Sequence, residues 1–479
     1  MEPLHIIYLI AAYFGVLILV SVFTNKGGSN ADFFKAGKRS PWYLVAFGMI
    51  GASLSGVTFI SVPGWVEASK FSYFQVVLGY TVGYAVIGTV LLPLYYRLNL
   101  TSIYTYLEGR FGNHSYKTGA SFFLLSRVVG ASFRLYLVAI VLQNLVFDSL
   151  NIPFWITVTI TILLIWLYTF KSGIKTIVWT DTLQTLFMLV AVGVAIYYVS
   201  SDLGLDSGSI FSFIADSELS QIFFFDDWKS GDHFVKQFLS GAFIAIVMTG
   251  LDQDMMQKNL TCRTLKDAKK NMFWFTIVLT IVNFIFLALG LLLTVFAQQN
   301  GVDAVRDQLF PTIAMQSGLG VVIAIFFMLG LIAAAYSSAD SALTSLTTSF
   351  SIDILEIEKK YDEVKQVVVR KRIHVFASLV LIAVIIIFKY LIADASVIAK
   401  LFTFAGYTYG PLLGLYAFGL FTKWKVRDIW VPVIAIITPF LGYLISFLCE
   451  LWFNFEFQFF ILILNGALTF SGLILIRRQ

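Results

Sequence analysis

The stretch Ile332–Leu346, IAAAYSSADSALTSL, places hydroxyls and a carboxylate inside a run that is otherwise apolar enough for lipid. At 100° per residue, Ser337, Ser341, Ser345 and Thr348 share one helical stripe, with Ser338 and Asp340 on its flanks. Hydroxyls alone are satisfied by bonding to carbonyls one turn earlier or by packing against another helix. Asp340 is not. A mid-span acid costs on the order of 2.5–3.5 kcal/mol on insertion scales, so it calls for a cation, a proton or a basic partner. Hydroxyl and carboxylate oxygens are the hard donors that alkali cations need, and a cation site is the sharper reading.

Four other stretches carry polar groups where lipid makes them expensive. GASLSGVTFISVPG (Gly51–Gly64) concentrates glycines, hydroxyls and Pro63 in one apolar segment. That composition suits an interrupted helix whose freed carbonyls bind a cation and whose half-helix end binds a solute, or else close packing by small residues. In VWTDTLQTLF (Val178–Phe187), Asp181 and Gln184 have the spacing of a helix N-cap with its reciprocal partner. SRVVGASFRLYL (Ser126–Leu137) carries Arg127 and Arg134 nearly on one face, for pairing with Asp181 or Asp340 or for binding an anionic solute. In TGLDQDMMQKNL (Thr249–Leu260), Asp254 and Lys258 are spaced as an i, i+4 ion pair, while Asp252 has no local partner.

The elements that must position these groups are membrane helices. Hydrophobic residues make up 58% of the 479 and charged residues 13%, which excludes an ordinary soluble domain. Thirteen apolar runs of about the length a span needs fall at 4–23, 42–66, 72–96, 118–147, 153–170, 174–200, 234–257, 272–297, 319–352, 371–391, 396–421, 428–448 and 455–476. The first lacks the basic flank and cleavage site of a signal peptide and reads as span one. With the N-terminus outside, the outer segments hold only Lys70, Lys229, Lys236 and Arg306, and the remaining basic residues of the connections fall inside. The net charge of +5 then reports orientation and gives no reason to invoke nucleic acid. Cys262 and Cys449 suggest no disulfide framework, the four histidines lack metal-ligand spacing, and no Walker loop or nucleophile elbow is present. An enzyme or ATP-driven pump is thereby disfavoured, leaving transporter, channel or sensor.

Several ordered motifs resemble the sodium/solute symporter family, which includes carriers of sugars, proline, sialic acids, vitamins and monocarboxylates. ADFFKAGKRSPWY (Ala31–Tyr43) looks like its first cytoplasmic loop and TSIYTYLEGRFG (Thr101–Gly112) like its second. KSGIKTIVWTDTLQT (Lys171–Thr185) resembles the start of span six and AAYSSADSALTS (Ala334–Ser345) the serine-rich span nine. The resemblance implies an all-α polytopic protein with a LeuT-like core of two inverted five-helix repeats. The expected division is a peripheral first helix at 1–30, repeats at 31–200 and 233–425, an extracellular loop at 201–232 and two peripheral helices at 426–479.

By position, the resemblance implies a main sodium site at Gly51, Leu54, Ala334, Ser337 and Ser338. A second cation site, as in the sialic acid carriers, maps to Asp181, Ser337, Asp340 and Ser341. Asp340 departs from the hydroxyl expected there, so it either strengthens that site, favours a proton, or pairs with Arg127 or Arg134. Solute contacts map to Ser53, Ser55, Thr58, Tyr73, Val77 and Phe243, with Arg134 the candidate for an anionic group. The expectation is sodium-coupled symport of a small organic solute by alternating access, with one or two sodium ions and a sialic acid or monocarboxylate as the anionic candidate. Alternatives are a sugar or vitamin symporter, proton coupling, or a channel. The expected setting is the plasma (inner) membrane, N-terminus outside and C-terminus cytoplasmic, with lipid and solute as partners and no obligatory protein partner.

Overall fold

The computed structural model of the chain describes residues 3–24, 38–169, 174–206, 208–391 and 397–478. Residues 31–37 of the first loop motif and 171–173 of the Lys171–Thr185 motif lie outside these. The regular secondary structure of the described residues is helical apart from a two-residue antiparallel ribbon that pairs Lys425 with Arg478 and Val426 with Arg477, and an isolated bridge between Ser40 and Cys262. Each of the thirteen apolar runs falls on a helix or a pair of helices. Among the described residues, nine helices, or eleven spans if two bent pairs are counted, are long and apolar enough to cross a bilayer.

Helix α1 (Pro3–Thr24) precedes the first bent pair, α2 (Trp42–Ser53) and α3 (Gly56–Ser69), which meet at 56°. Next come α4 (Tyr73–Val86), α5 (Asn113–Leu142), α6 (Phe154–Thr169) and α7 (Ile174–Asp202). After the 201–232 connection the order repeats. The bent pair α8 (Phe234–Ala245) and α9 (Gln253–Asn259) meets at 69° and is followed by α10 (Leu265–Asn300), α11 (Val321–Ser349), α12 (Glu363–Leu391) and α13 (Val397–Phe421). The last helices are α14 (Val431–Phe453) and α15 (Ile461–Leu475).

The first break falls at Leu54–Ser55. Leu54 adopts φ −79°, ψ 77°, and the Ser55 N–H turns back to the Ser53 carbonyl at 3.0 Å. Pro63 does not make the break. It lies within α3, where one missing N–H is tolerated because neighbouring helices shield the freed carbonyl. The second break follows a π turn at Ile246–Gly250, and α9 restarts with Asp252 as its N-cap, accepting from the N–H groups of Asp254 (2.9 Å) and Met255 (3.3 Å).

Both breaks are held centrally. Helix α11 packs on α2, α3, α7 and α9, so the serine-rich segment touches both bent pairs. Helices α4 and α8 cross at reciprocal glycines. A Cβ on Gly79 would lie 2.0 Å from the Phe238 carbonyl, and one on Gly241 would lie 2.0 Å from that of Val76. Residues Ile332–Ser349 of α11 are buried throughout, hydroxyls included.

Candidate functional site

At the first break the carbonyls of Gly51 and Ala52 lose their i+4 partners. Among the described residues no backbone hydrogen bond replaces them, and none ends on the Leu54 carbonyl. The break thus presents oxygen dipoles within the protein interior. Gly51 also fixes the approach of α2 to α7, because a Cβ there would meet Thr185 Oγ1 at 2.1 Å and the Asp181 carbonyl at 3.2 Å. Thr185 Oγ1 in turn donates to the Phe47 and Asp181 carbonyls, at 3.0 and 2.7 Å, stitching the two helices together.

The hydroxyls of α11 separate into two classes. Ser345 and Thr348 bond back to the carbonyls of Ala342 (3.0 Å) and Thr344 (2.9 Å), the ordinary fate of such residues in a helix. Ser337 instead donates to Asp181 Oδ1 across the interface with α7, at 2.7 Å. Ser338 Oγ, Ser341 Oγ and Thr344 Oγ1 are buried with no hydrogen-bond partner among the described residues. Buried polar atoms are usually satisfied, so an unbonded group of them has oxygen lone pairs to offer a ligand. Ser338, one of the residues expected at the main sodium site, is among these unbonded groups, and the carbonyls of Gly51 and Leu54 are free as well.

The acidic residues depart from the spacing-based expectations. Asp181 is no N-cap, because α7 already begins at Ile174 and carries Asp181 in its interior, fully buried. Its Oδ2 accepts from Lys258 Nζ at 2.7 Å. Lys258 does not pair with Asp254, which pairs instead with Arg127. Arg127 also lies 3.9 Å from Asp252 Oδ2, which accepts from Tyr409 Oη at 2.6 Å. Two opposite charges on one short helix have thus found partners on different helices. In a dry interior a partner held at good geometry outweighs one nearby in sequence. Asp340 is fully buried and its Oδ1 accepts from the Ser341 N–H at 2.6 Å, so the expected arginine partner is not Arg127, already engaged by α9.

A cavity lies on the other side of the same break. Ser53, Ser55, Thr58, Tyr73 and Arg134, all expected solute contacts, line it. Phe243 does not: Ile244, Ala245, Met248 and Thr249 form that wall, because the helical turn rotates Phe243 away from the cavity. Val77 is buried outside it. Tyr80, Tyr84 and Asn283 line it as well, unanticipated by the sequence reading. The i, i+7, i+11 spacing of Tyr73, Tyr80 and Tyr84 and a lone asparagine in the apolar stretch of α10 were the available signals. Towards the 201–232 connection the aromatic rings of Tyr73, Trp65, Phe402 and Phe459 form a contiguous cover, with centroids 5.0–6.5 Å apart.

The two arginines have unlike surroundings. Arg127 has its carboxylate partner. Arg134 Nε is buried without a hydrogen-bond partner, and among the described residues no carboxylate lies within ion-pair distance of Arg134. An unpaired guanidinium facing a cavity has donors free to pair with an anionic group.

Residues 33–426 match the model of the sodium:solute symporter family. The chain belongs to that family. It is 27% identical over 426 residues to the sodium/sialic acid symporter NanT of Aliivibrio fischeri, covering 86% of this chain and 82% of that one. It is 25% identical over 452 residues to the sodium/sialic acid symporter SiaT of Proteus mirabilis, covering 90% and 88%. A solved Na+-coupled sialic acid symporter in a substrate-bound outward-open state superposes with a TM-score of 0.83 over 99% of both chains at 20% identity, which shows the fold. The family is one of transporters, and this chain is a multi-pass membrane protein of LeuT-like architecture.

Proposed function

We propose that this symporter couples sodium to the uptake of a small solute bearing a carboxylate, of the sialic acid or monocarboxylate kind. Unpaired Arg134 in the cavity wall carries the solute-class assignment. A half-buried guanidinium without a counter-charge is costly to maintain, and a solute carboxylate offsets that cost on binding. The hydroxyls of Ser53, Ser55 and Thr58 and the phenols of Tyr73 and Tyr80, 3.1 Å apart, supply neutral polar contacts for the rest of the solute.

Sodium sits on the opposite side of the break, between the Gly51, Leu54 and Ala334 carbonyls and the Ser337 and Ser338 hydroxyls. Because Ser337 donates its proton to Asp181, its oxygen lone pairs remain available to the ion. One break thus serves both ligands, and occupancy by sodium sets the angle between α2 and α3 against which the solute closes. Release follows when α11 and the α2–α3 break separate. One sodium crossing ~100 mV gains ~2.3 kcal/mol, and a tenfold concentration gradient adds ~1.4 kcal/mol.

The proposed division follows the repeated helix order: repeats at 31–200 and 233–425, joined by an outer loop at 201–232, with 1–30 and 426–479 peripheral. The basic bias of alternate connections supports an inner-membrane protein with the N-terminus outside and the C-terminus cytoplasmic. Proteoliposomes test the function directly. Uptake of labelled sialic acid or a short monocarboxylate is expected with external sodium and absent with choline, and uptake equal in both would reject sodium coupling.

A further inference from the structure

The position expected to hold a second cation already contains one that is covalently part of the chain. Lys258 Nζ donates to Asp181 Oδ2 at 2.7 Å while Ser337 Oγ donates to Oδ1 at 2.7 Å, so both oxygens of the carboxylate are engaged. Lys258 is 1% exposed and Asp181 0%. Ser341, one turn beyond Ser337 on the same face, is buried with its hydroxyl unbonded. The donors around Asp181 suit a monovalent cation, but the lysine takes the carboxylate oxygen that a sodium ion would need. We propose that the Lys258 ammonium is the resident cation of this position and excludes a second sodium, so that the carrier moves one sodium per cycle.

Three observations support this. The ammonium is delivered by α9, the short arm beyond the 69° break, and α9 packs on α2, α7 and α11, the helices that form the position. The pair joins residues 77 apart in sequence in a fully buried setting, where removing either partner leaves an uncompensated charge. Asp254 on α9 and its N-cap Asp252 are engaged elsewhere, by Arg127 and Tyr409, and the ion pair Lys258 makes among the described residues is with Asp181.

The consequence is energetic and rests on the sodium-coupled carboxylate reading above. One sodium moving with a monoanion transfers no net charge, and a tenfold sodium gradient then supports only about tenfold accumulation. Two sodium ions would transfer one net positive charge, and with ~100 mV the limit would rise to roughly 5,000-fold.

Radioactive sodium binding to the purified full-length chain, without solute, counts the ions. Wild type and Lys258→Arg are expected to bind one sodium per chain at saturation. Lys258→Ala should bind two, the second ion lying against Asp181, Ser337 and Ser341. In proteoliposomes, carboxylate uptake by wild type should be unchanged when a potassium-diffusion potential of ~100 mV is imposed, and uptake by Lys258→Ala should rise with it. Two ions bound by wild type, or one by a folded Lys258→Ala, overturns the proposal. If Lys258→Ala does not fold, the wild-type count and its response to potential decide alone. No sodium bound by wild type would instead remove the sodium-coupling reading on which the proposal rests.

Discussion

Ser337 Oγ donates to Asp181 Oδ1 at 2.7 Å, joining the serine-rich helix α11 to the interior of α7. The bond fixes the hydroxyl's direction: its proton points at the carboxylate and its lone pairs point elsewhere. In the proposed arrangement Asp181 influences sodium without touching it, by orienting a ligand of the proposed main site. The carboxylate's other oxygen is held by Lys258, so one side chain ties α7, α9 and α11 together.

Replacing Asp181 by Asn keeps the shape and removes the charge, leaving Lys258 buried and unpaired. The expected cost is ~3–5 kcal/mol of stability, as for other buried pairs broken from one side. Lys258→Met made together with Asp181→Asn should recover most of that loss. Thermal unfolding of the four proteins in detergent gives the coupling energy as a double-mutant cycle. Additive single losses would mean that the pair is not an energetic unit.

Ser338→Ala removes a buried hydroxyl that has no protein partner. Without sodium it should therefore leave stability unchanged or slightly raised. With sodium it should lose one ligand of the ion, worth ~1.5–3 kcal/mol for a polar contact to a charge, so half-saturation moves up about 10- to 100-fold. Sodium-dependent thermal shifts read both effects. A loss of stability that is independent of sodium would assign Ser338 to helix packing.

The fold was legible in the sequence because lipid leaves helices little choice of length, and each apolar run became a helix or a bent pair. The first break was legible as one of two readings of Gly51–Gly64, whereas Thr249–Leu260 read only as charges at the end of a span and by itself gave no sign of the second. The charge pairing was not legible. Asp254 and Lys258 have the spacing of a surface pair, and Asp181 with Gln184 that of a cap, because both signatures come from solvated helix ends. In the interior each charge takes the partner with the best geometry, and Asp181 with Lys258 and Arg127 with Asp254 are long-range contacts that no local pattern encodes. The free state of Arg134 was equally hidden, since it depends on which acids Arg127 has already engaged.

The two arginines of α5 are expected to behave differently. Arg134→Gln should weaken binding of a carboxylated solute by about 10- to 100-fold, the value of a charge-assisted contact, while changing stability little or raising it. Arg127→Gln should chiefly destabilise, because Asp254 loses its partner in a buried site. Isothermal titration with a carboxylate solute and its neutral amide separates the cases. Equal weakening for both ligands in Arg134→Gln would remove the carboxylate assignment.

Outside the spans, Asp232 supplies a pH dependence with a definite sign. Burial and the neighbouring Glu456 hold its carboxyl above the usual aspartate range. The folded state therefore binds this proton more readily than the unfolded chain. Its contribution is fully present below the unfolded pKa of about 3.9 and is lost as pH rises through the raised folded value. Asp232→Asn keeps the backbone carbonyl that accepts from Gln75 Nε2 at 2.9 Å and removes the charge. It should be more stable than wild type at neutral pH, with the difference narrowing as pH falls. A difference that stays constant with pH would show that the charge is not the cause.

Tyr409 Oη donates to Asp252 Oδ2 at 2.6 Å, and Asp252 is the residue that caps α9. Tyr409→Phe removes that bond and leaves the ring in place, so its effect falls on how firmly α13 holds the start of α9. Loss of a hydrogen bond to a buried carboxylate is worth ~1.5–3 kcal/mol, or about 10- to 100-fold in the equilibrium that swings α9 away. Cys262 reports that motion, because it is fully buried three residues beyond α9, whereas Cys449 is partly exposed. Maleimide should label Cys262 faster in Tyr409→Phe by up to that factor while Cys449 labels at the wild-type rate. An unchanged Cys262 rate would mean that α9 is held by the Arg127–Asp254 and Lys258–Asp181 pairs alone.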